Sequence, residues 1–293
     1  MLAHYRNGNA AIDLYNDGTR IIEWKGKLKL EFPLNIDIRV STKCAFGMNP
    51  MGKAICGFCH ESARTDGVDA DFGELQEIIK DLPAGIELAI GANEVTRELL
   101  DFLKYCDSKG FFVNLTCNQG LIFRDLKNIK FAIDNALIKG LGISYRKGMK
   151  PIPSELINYP NTVVHVIAGI DLVDDVKLLS AGGVKKILVL GEKDFGFNLG
   201  NVKITTQNHR DWYRQVHELF NLFDIVSFDN LALEQLNVRR FVKDWETTYQ
   251  HEYSFYINAV DRYFSPSSRS DEKTSFSDSS INKYFASLFP EFE

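Results

Sequence analysis

The sequence predicts an α/β fold: a buried parallel sheet rolled into a barrel, complete or partial, and preceded by a β-hairpin. Three observations predict it. Short apolar runs that end in glycine, asparagine or serine alternate with amphipathic stretches over most of the chain. Near-continuous apolar strands between helices mean a parallel sheet covered on both faces. Six or more such units follow one another in the sequence, which favours a barrel over a short doubly wound sheet. The 293 residues suit one domain of that kind, with no internal repeat and no linker.

The elements follow in order. "AAIDLYNDGTRIIEW" alternates apolar and polar residues around Asn16-Asp17-Gly18, a hairpin signal. "LEFPLNIDIRVS" is a strand that runs into a glycine-rich loop. Then come "GELQEIIKDL" as a helix, "GIELAIGANE" as a strand, and "TRELLDFLKYCDSKG" as a helix closed by Gly110. "FFVNLTCNQG" and "FRDLKNIKFAIDN" form the next pair, then "IKGLGISYRKG" and the short "PSELINY". "NTVVHVIAGI" pairs with "DLVDDVKLLSAGG", and "KKILVLGEKDFG" with the long amphipathic "HRDWYRQVHELFNLF". "DIVSFDN" is a further strand, "ALEQLNVRRFVKDWETTY" a helix, and "YSFYINAVDRYFS" a last strand. The polar "SPSSRSDEKTSFSDSS" reads as a loop and "INKYFASLF" as a closing helix. Residues 1–33 form a hairpin extension, 34–200 the core, and 201–293 a C-terminal extension.

Composition is ordinary for a globular chain, at 45% hydrophobic and 25% charged. A net charge of −5 gives no general pull toward nucleic acid or anionic membrane. No apolar run is long enough to span a bilayer, and the N-terminus lacks a signal-peptide pattern. Five cysteines, an odd count in a chain too large to need disulfide staples, fit a reducing cytoplasm.

Cys44, Cys56 and Cys59 fall in "STKCAFGMNPMGKAICGFCHESA", with His60 directly after. Two thiolates at C-x2-C spacing can reach one metal from a tight turn. Zinc would need a fourth ligand, His60 or another cysteine, and adjacent residues seldom both face one ion. Three thiols without an obvious fourth suit an iron–sulfur cluster of the 4Fe–4S type with one open iron. Buried inert thiols remain the plain alternative. Met48 and Met51, in the long first gap, are candidates for a soft lid over the thiols.

On these residues the chain resembles the radical S-adenosylmethionine (SAM) superfamily. The usual signature is C-x3-C-x2-C after the first strand of a (βα)6-type partial TIM barrel, with an aromatic residue before the last cysteine. Here the spacing is C-x11-C-x2-C, and Phe58 holds the aromatic position. Expanded first gaps occur in some branches of the family. "IGANE" resembles the family's turn for the SAM amino group, through Gly91, Ala92, Asn93 and Glu94. "LTCNQG" offers Thr116, Asn118 and Gly120; "GISYRKG" offers Ser144 and Arg146 for ribose and carboxylate. "HVIAG" offers Ile167 and Gly169, and "VLGEK" offers Leu190 and Gly191, near the adenine. The resemblance spans residues 34 to 200, and residues 201–293 would extend the partial barrel toward a fuller one.

The resemblance implies a radical SAM enzyme. Its 4Fe–4S cluster, on Cys44, Cys56 and Cys59, reductively cleaves SAM to a 5′-deoxyadenosyl radical that takes hydrogen from substrate. It also implies an electron donor such as flavodoxin or ferredoxin. Without a further cysteine-rich region or a basic extension, a small polar substrate is expected, a nucleotide-like one first, and a peptide or protein second. Nucleic acid and membrane are not expected as partners. Cys117, Tyr145 and Asp229 are the catalytic candidates, each with a plainer role as core thiol, strand residue or helix cap. Glu94 also suits a helix N-terminus. Lys193, Asp194 and Asn230 are rim candidates. Cys106, His165, His209, His217 and His251 read as packing or solvated residues. Two other classes stay open: a zinc-binding structural or interaction protein, and a barrel enzyme without a cluster.

Overall fold

Around Asn16-Asp17-Gly18 the chain turns between β2 (Ala10–Leu14) and β3 (Arg20–Trp24), which pair antiparallel. β1 (Ala3–Asn7) adds to β2 and completes a three-stranded sheet. The structure, a computed structural model, describes residues 1–198, 206–243, 245 and 253–289.

The second sheet has ten strands. Its parallel part is β4 (Asn35–Arg39), β6 (Glu87–Ala92), β7 (Phe112–Asn118), β8 (Gly140–Ser144), β9 (Thr162–Ile167), β10 (Lys186–Leu190) and β11 (Ile225–Phe228), side by side in chain order. The short β5 (Lys43–Met48) stands outside it, in the cysteine loop. β12 (Ser254–Asn258) pairs parallel with β4 on its other side. β13 (Tyr263–Ser265) and β14 (Thr274–Ser275) continue antiparallel to the far edge. Six helices follow strands: α1 (Phe72–Ile79), α2 (Arg97–Ser108), α3 (Ile122–Asp134), α4 (Ser154–Ile157), α5 (Val173–Ala181) and α6 (Thr206–Gln215). α7 (Asn230–Gln235) and α8 (Ile281–Leu288) come last.

The barrel expectation is thereby corrected. A (βα)6 partial TIM barrel, with or without a C-terminal extension, is not the pattern found. The sheet has two separate edges, β11 and β14. β4 is an interior strand, covered by β12, and the sheet ends in an antiparallel hairpin. Among the described residues there are eight α-helices, of which α4 has four residues and α7 six, too short to cover a strand as barrel helices do. The expected long helix over residues 209–223 ends at Gln215 and continues as a 3-10 turn over Val216–Asn221. The helix expected over 232–249 stops at Gln235, because Asn237 takes a left-handed backbone (φ 47°) before a 3-10 turn at Val238–Phe241. His251 and the end of that expected helix lie outside the described residues.

Caps start the helices locally. Asp71 accepts from the backbone N–H of Gly73 and Glu74 to open α1, and Thr96 accepts from Leu99 to open α2. The longer helices then bury an apolar stripe on the sheet, as α2 does with Leu99, Leu100, Phe102, Leu103 and Cys106. The small sheet docks at the N-terminal ends of the parallel strands. Arg20 pairs with Glu87, the first residue of β6, and Asn161 Nδ2, just before β9, donates to the Asn16 carbonyl (2.7 Å). The cysteine loop leaves the other end of β4, so the two additions sit at opposite ends of the strands.

Candidate functional site

Residues two apart on a strand share a face. Registers therefore place Asp37, Ala89, Asn114 and Gly140 side by side on one face of β4, β6, β7 and β8. The next row is Arg39, Gly91, Thr116 and Gly142, and the one after holds Asn118, Ser144 and His165. Over Gly142 the room is taken by the Thr116 and His165 side chains, whereas a side chain on Gly91 would meet nothing. Burial pushes the His165 imidazole down to about 4, so it is neutral. At the C-terminal ends of these strands a cavity of about 340 Å³ opens.

All three loop cysteines line this cavity. The polypeptide reaches it by a folded path: Ile55 and Cys56 donate backbone N–H to the Phe46 carbonyl (3.1 Å each), and Cys59 donates to the Cys56 carbonyl (3.1 Å). Cys44, Ala63 and Leu121, with Phe46 and Cys59 against them, form a small apolar cluster apart from the main core. Burial pushes the Cys44 and Cys59 thiols up, while backbone N–H groups of Phe46 and Gly47 at Cys44, and of Ala63 and Glu61 at Cys59, pull the other way. Cys117 lines the cavity from β7, and burial pushes it to about 12; Cys106 is buried in α2 and likewise held at about 12. The methionine lid does not form: Met51 is 80% exposed, and Phe46, Gly47 and Phe58 line the cavity instead.

Gly120, in the turn after β7, makes room for that arrangement, because a methyl there would overlap the Phe46 ring. Gly120→Ala is expected to displace Phe46 and lower stability by about 1–3 kcal/mol, the usual range for overpacking. Thermal melts check this, and an unchanged midpoint would count against the Phe46 placement.

Among the site residues named from the sequence, Phe58, Gly91, Ala92, Asn93, Thr116, Asn118, Ser144, Arg146, Ile167 and Leu190 line the cavity with the thiols. Asn118 Oδ1 also accepts from the Gly120 N–H (2.9 Å), which shapes the turn. Arg146 lies over the Phe58 ring (4.4 Å to its centre), and its Nε is buried without a hydrogen-bond partner. Glu94, Gly169 and Gly191 stand just outside the lining. Glu94 pairs with Arg124 (3.0 Å) and more distantly with Lys43 (3.8 Å). Asp229 caps α7, accepting from Ala232 N–H (2.7 Å) and Gly191 N–H (2.9 Å), and Tyr145 packs on the core beside the cavity.

A polar cluster closes the same cavity; His60 and Lys193 in it were named from the sequence, while Glu61, Arg39, Tyr256 and Ser268 were not. Glu61 Oε2 meets Arg39 Nε (3.0 Å) and accepts from the Tyr256 hydroxyl (3.4 Å); Glu61 Oε1 meets His60 Nε2 (3.1 Å). Burial alone would raise the Glu61 carboxyl, but the hydrogen bond from His60 and the charges of Arg39 and Lys193 hold it down, at about 2. Burial lowers the His60 imidazole, which is therefore neutral at neutral pH. Lys193 Nζ donates to His60 Nε2 and to Ser268 Oγ, at 3.2 Å each. Arg39 is the last residue of β4, a rim position that the longer strand expected from the sequence hid. Tyr256 and Ser268 reach the site through the β12–β4 pairing, 219 residues apart at Tyr256↔Asp37, and no local pattern announces it.

Asp171 shapes the turn after β9. Its Oδ2 accepts from the Ile167 N–H (2.7 Å), and its carbonyl accepts from Trp212 Nε1 (2.7 Å). Burial raises its carboxyl to about 6. A raised acid favours folding below the unfolded value and loses that advantage as pH climbs through the folded one. Asp171→Asn should therefore gain on the parent by up to ~3 kcal/mol between about pH 4 and about pH 8. Denaturant titrations at both pH values check this, and a gap independent of pH would contradict it.

Among the described residues, no group of three His, Cys, Asp or Glu side chains converges closely enough to hold one metal ion. His60 Nε2 faces Glu61 Oε1 (3.1 Å) and Lys193 Nζ (3.2 Å). Cys44, Cys56 and Cys59 share one cavity, and backbone N–H groups beside Cys44 and Cys59 favour the thiolate, as residues that hold a metal cluster would need. No helix among the described residues is long and apolar enough to cross a membrane. No protein-family model matches the chain, and no curated protein matches its sequence.

Proposed function

We propose that the chain is a radical SAM enzyme acting in the cytoplasm on a small polar substrate, with an iron–sulfur cluster of the 4Fe–4S type held by Cys44, Cys56 and Cys59. One observation carries this reading: the three thiols and the ends of successive parallel strands, from β4 to β10, line one cavity. When bound, the cluster and SAM supply one-electron cleavage of a carbon–sulfur bond and hydrogen abstraction from the substrate.

The remaining work falls to side chains and backbone already described. Gly91, Ala92 and Asn93 present the end of β6 without bulk, which suits the approach of an ammonium group to backbone carbonyls. Arg146, with its unpartnered Nε, suits a carboxylate. Ser144 and Asn118 offer polar groups to a ribose, and Ile167 and Leu190 an apolar wall to an adenine. Phe46 and Phe58 keep water from the thiol side, as one-electron chemistry requires. An external donor such as a flavodoxin or ferredoxin belongs to this reading, and five free thiols suit a reducing compartment.

Electron paramagnetic resonance of the anaerobically reconstituted, dithionite-reduced protein tests it. A reduced-cluster signal that shifts when SAM is added is expected. A protein that takes up no iron, or whose signal ignores SAM, would end the proposal.

A further inference from the structure

The polar cluster that closes the cavity contains an ammonium whose charge its direct contacts do not neutralise. Lys193 carries three N–H donors. Among the described residues its hydrogen bonds reach only His60 Nε2 and Ser268 Oγ, neither of which carries a negative charge in any state. Even these cannot both be kept: His60 Nε2 also meets Glu61 Oε1, and one ring nitrogen can serve only one of the two at a time. The acid of the cluster, Glu61, is committed to Arg39, His60 and Tyr256. Among the described residues of the lining, the cations Arg39, Arg146 and Lys193 face only the carboxylates Asp37 and Glu61.

The position of this ammonium is set by three distant segments. Lys193 follows β10, whose last residue, Leu190, lines the cavity. His60 follows Cys59 in the chain, so the ammonium stands on the thiol side. Ser268 comes from the loop after β13, and the neighbouring pair Arg269–Asp194 (3.8 Å) links the same two segments. A half-buried cation whose direct contacts carry no negative charge, at the wall of a cavity, is a ready seat for an anion.

We propose that Lys193, flanked by Ser268 and His60, seats an anionic group of the substrate, a carboxylate or a phosphate. This rests on the reading that the cavity receives substrate, but not on any redox step. The anion bonds to the free donor of Lys193 and to the Ser268 hydroxyl, and the rest of the substrate extends across the cavity toward Ile167 and Leu190.

The test is calorimetric titration of the full-length chain as purified, at constant ionic strength, with inorganic phosphate in one arm and acetate in the other. Saturable binding in at least one arm is expected, and the stronger arm names the anion. Lys193→Met should weaken it by about tenfold or more, and Lys193→Arg, which keeps the charge, by no more than about threefold. If Lys193→Met does not fold, Ser268→Ala takes its place, with several-fold weakening expected. Saturation in neither arm, or variants that bind like the parent, would overturn the assignment. Neither iron nor SAM enters this measurement. An anion seat found without SAM cleavage would therefore fault the proposed enzyme, and SAM cleavage without an anion seat would fault this inference alone.

Discussion

Replacing Cys44, Cys56 and Cys59 together with alanine is expected to bring iron and sulfide content after reconstitution down to background. SAM cleavage should fall by ~100-fold or more, since even partners behind metal ligands are commonly worth 10–100-fold. The loss should be local. The small apolar cluster around Cys44, Ala63 and Leu121 is separate from the main core, so the far-ultraviolet circular dichroism should stay as in the parent. Cys106→Ala and Cys117→Ala are the matched controls. Cys106 is fully buried in α2, away from the cavity; Cys117 lines the cavity but stands on β7 and outside the loop. Both should keep their iron. Iron retained by the triple variant, or lost in the Cys106 control, would break the assignment of the loop thiols.

Trp212→Ala should have the largest effect on stability. The Trp212 side chain is 0% exposed in the main core, and its indole N–H holds the Asp171 carbonyl at 2.7 Å. Truncating a buried tryptophan costs about 3–5 kcal/mol. Trp212→Phe keeps most of the packing and loses the hydrogen bond, so it should cost less, on the order of 1–3 kcal/mol for the unsatisfied carbonyl. Denaturant midpoints check both. The turn that this indole supports begins at Ile167, which lines the cavity, so Trp212→Ala should also weaken SAM binding. A Trp212→Ala protein within ~1 kcal/mol of the parent would mean that α6 does not pack as described.

The order of strands was legible because each apolar run ends in a small or polar residue: Gly91 and Ala92 end β6, Asn118 ends β7 and Ser144 ends β8. These are also the residues that the sheet gathers at one end. Sheet closure was not legible. It depends on what covers β4, and a strand more than two hundred residues away does so. The same pairing brings in Tyr256, so the polar half of the site was hidden with it. The helix ends beyond Gln215 and Gln235 were missed because their apolar periodicity continues, while 3-10 turns and the left-handed Asn237 interrupt the backbone. Lys193 was named as a rim residue and Glu61 was not singled out; only folding shows that they share His60.

The most direct measurement of the central claim is 5′-deoxyadenosine formation. The protein is reconstituted anaerobically with iron and sulfide, reduced with dithionite, and given SAM, beside the triple cysteine variant. The account predicts 5′-deoxyadenosine from the parent and none above background from the variant. No product from a parent that carries its cluster, or equal product from both, would contradict it.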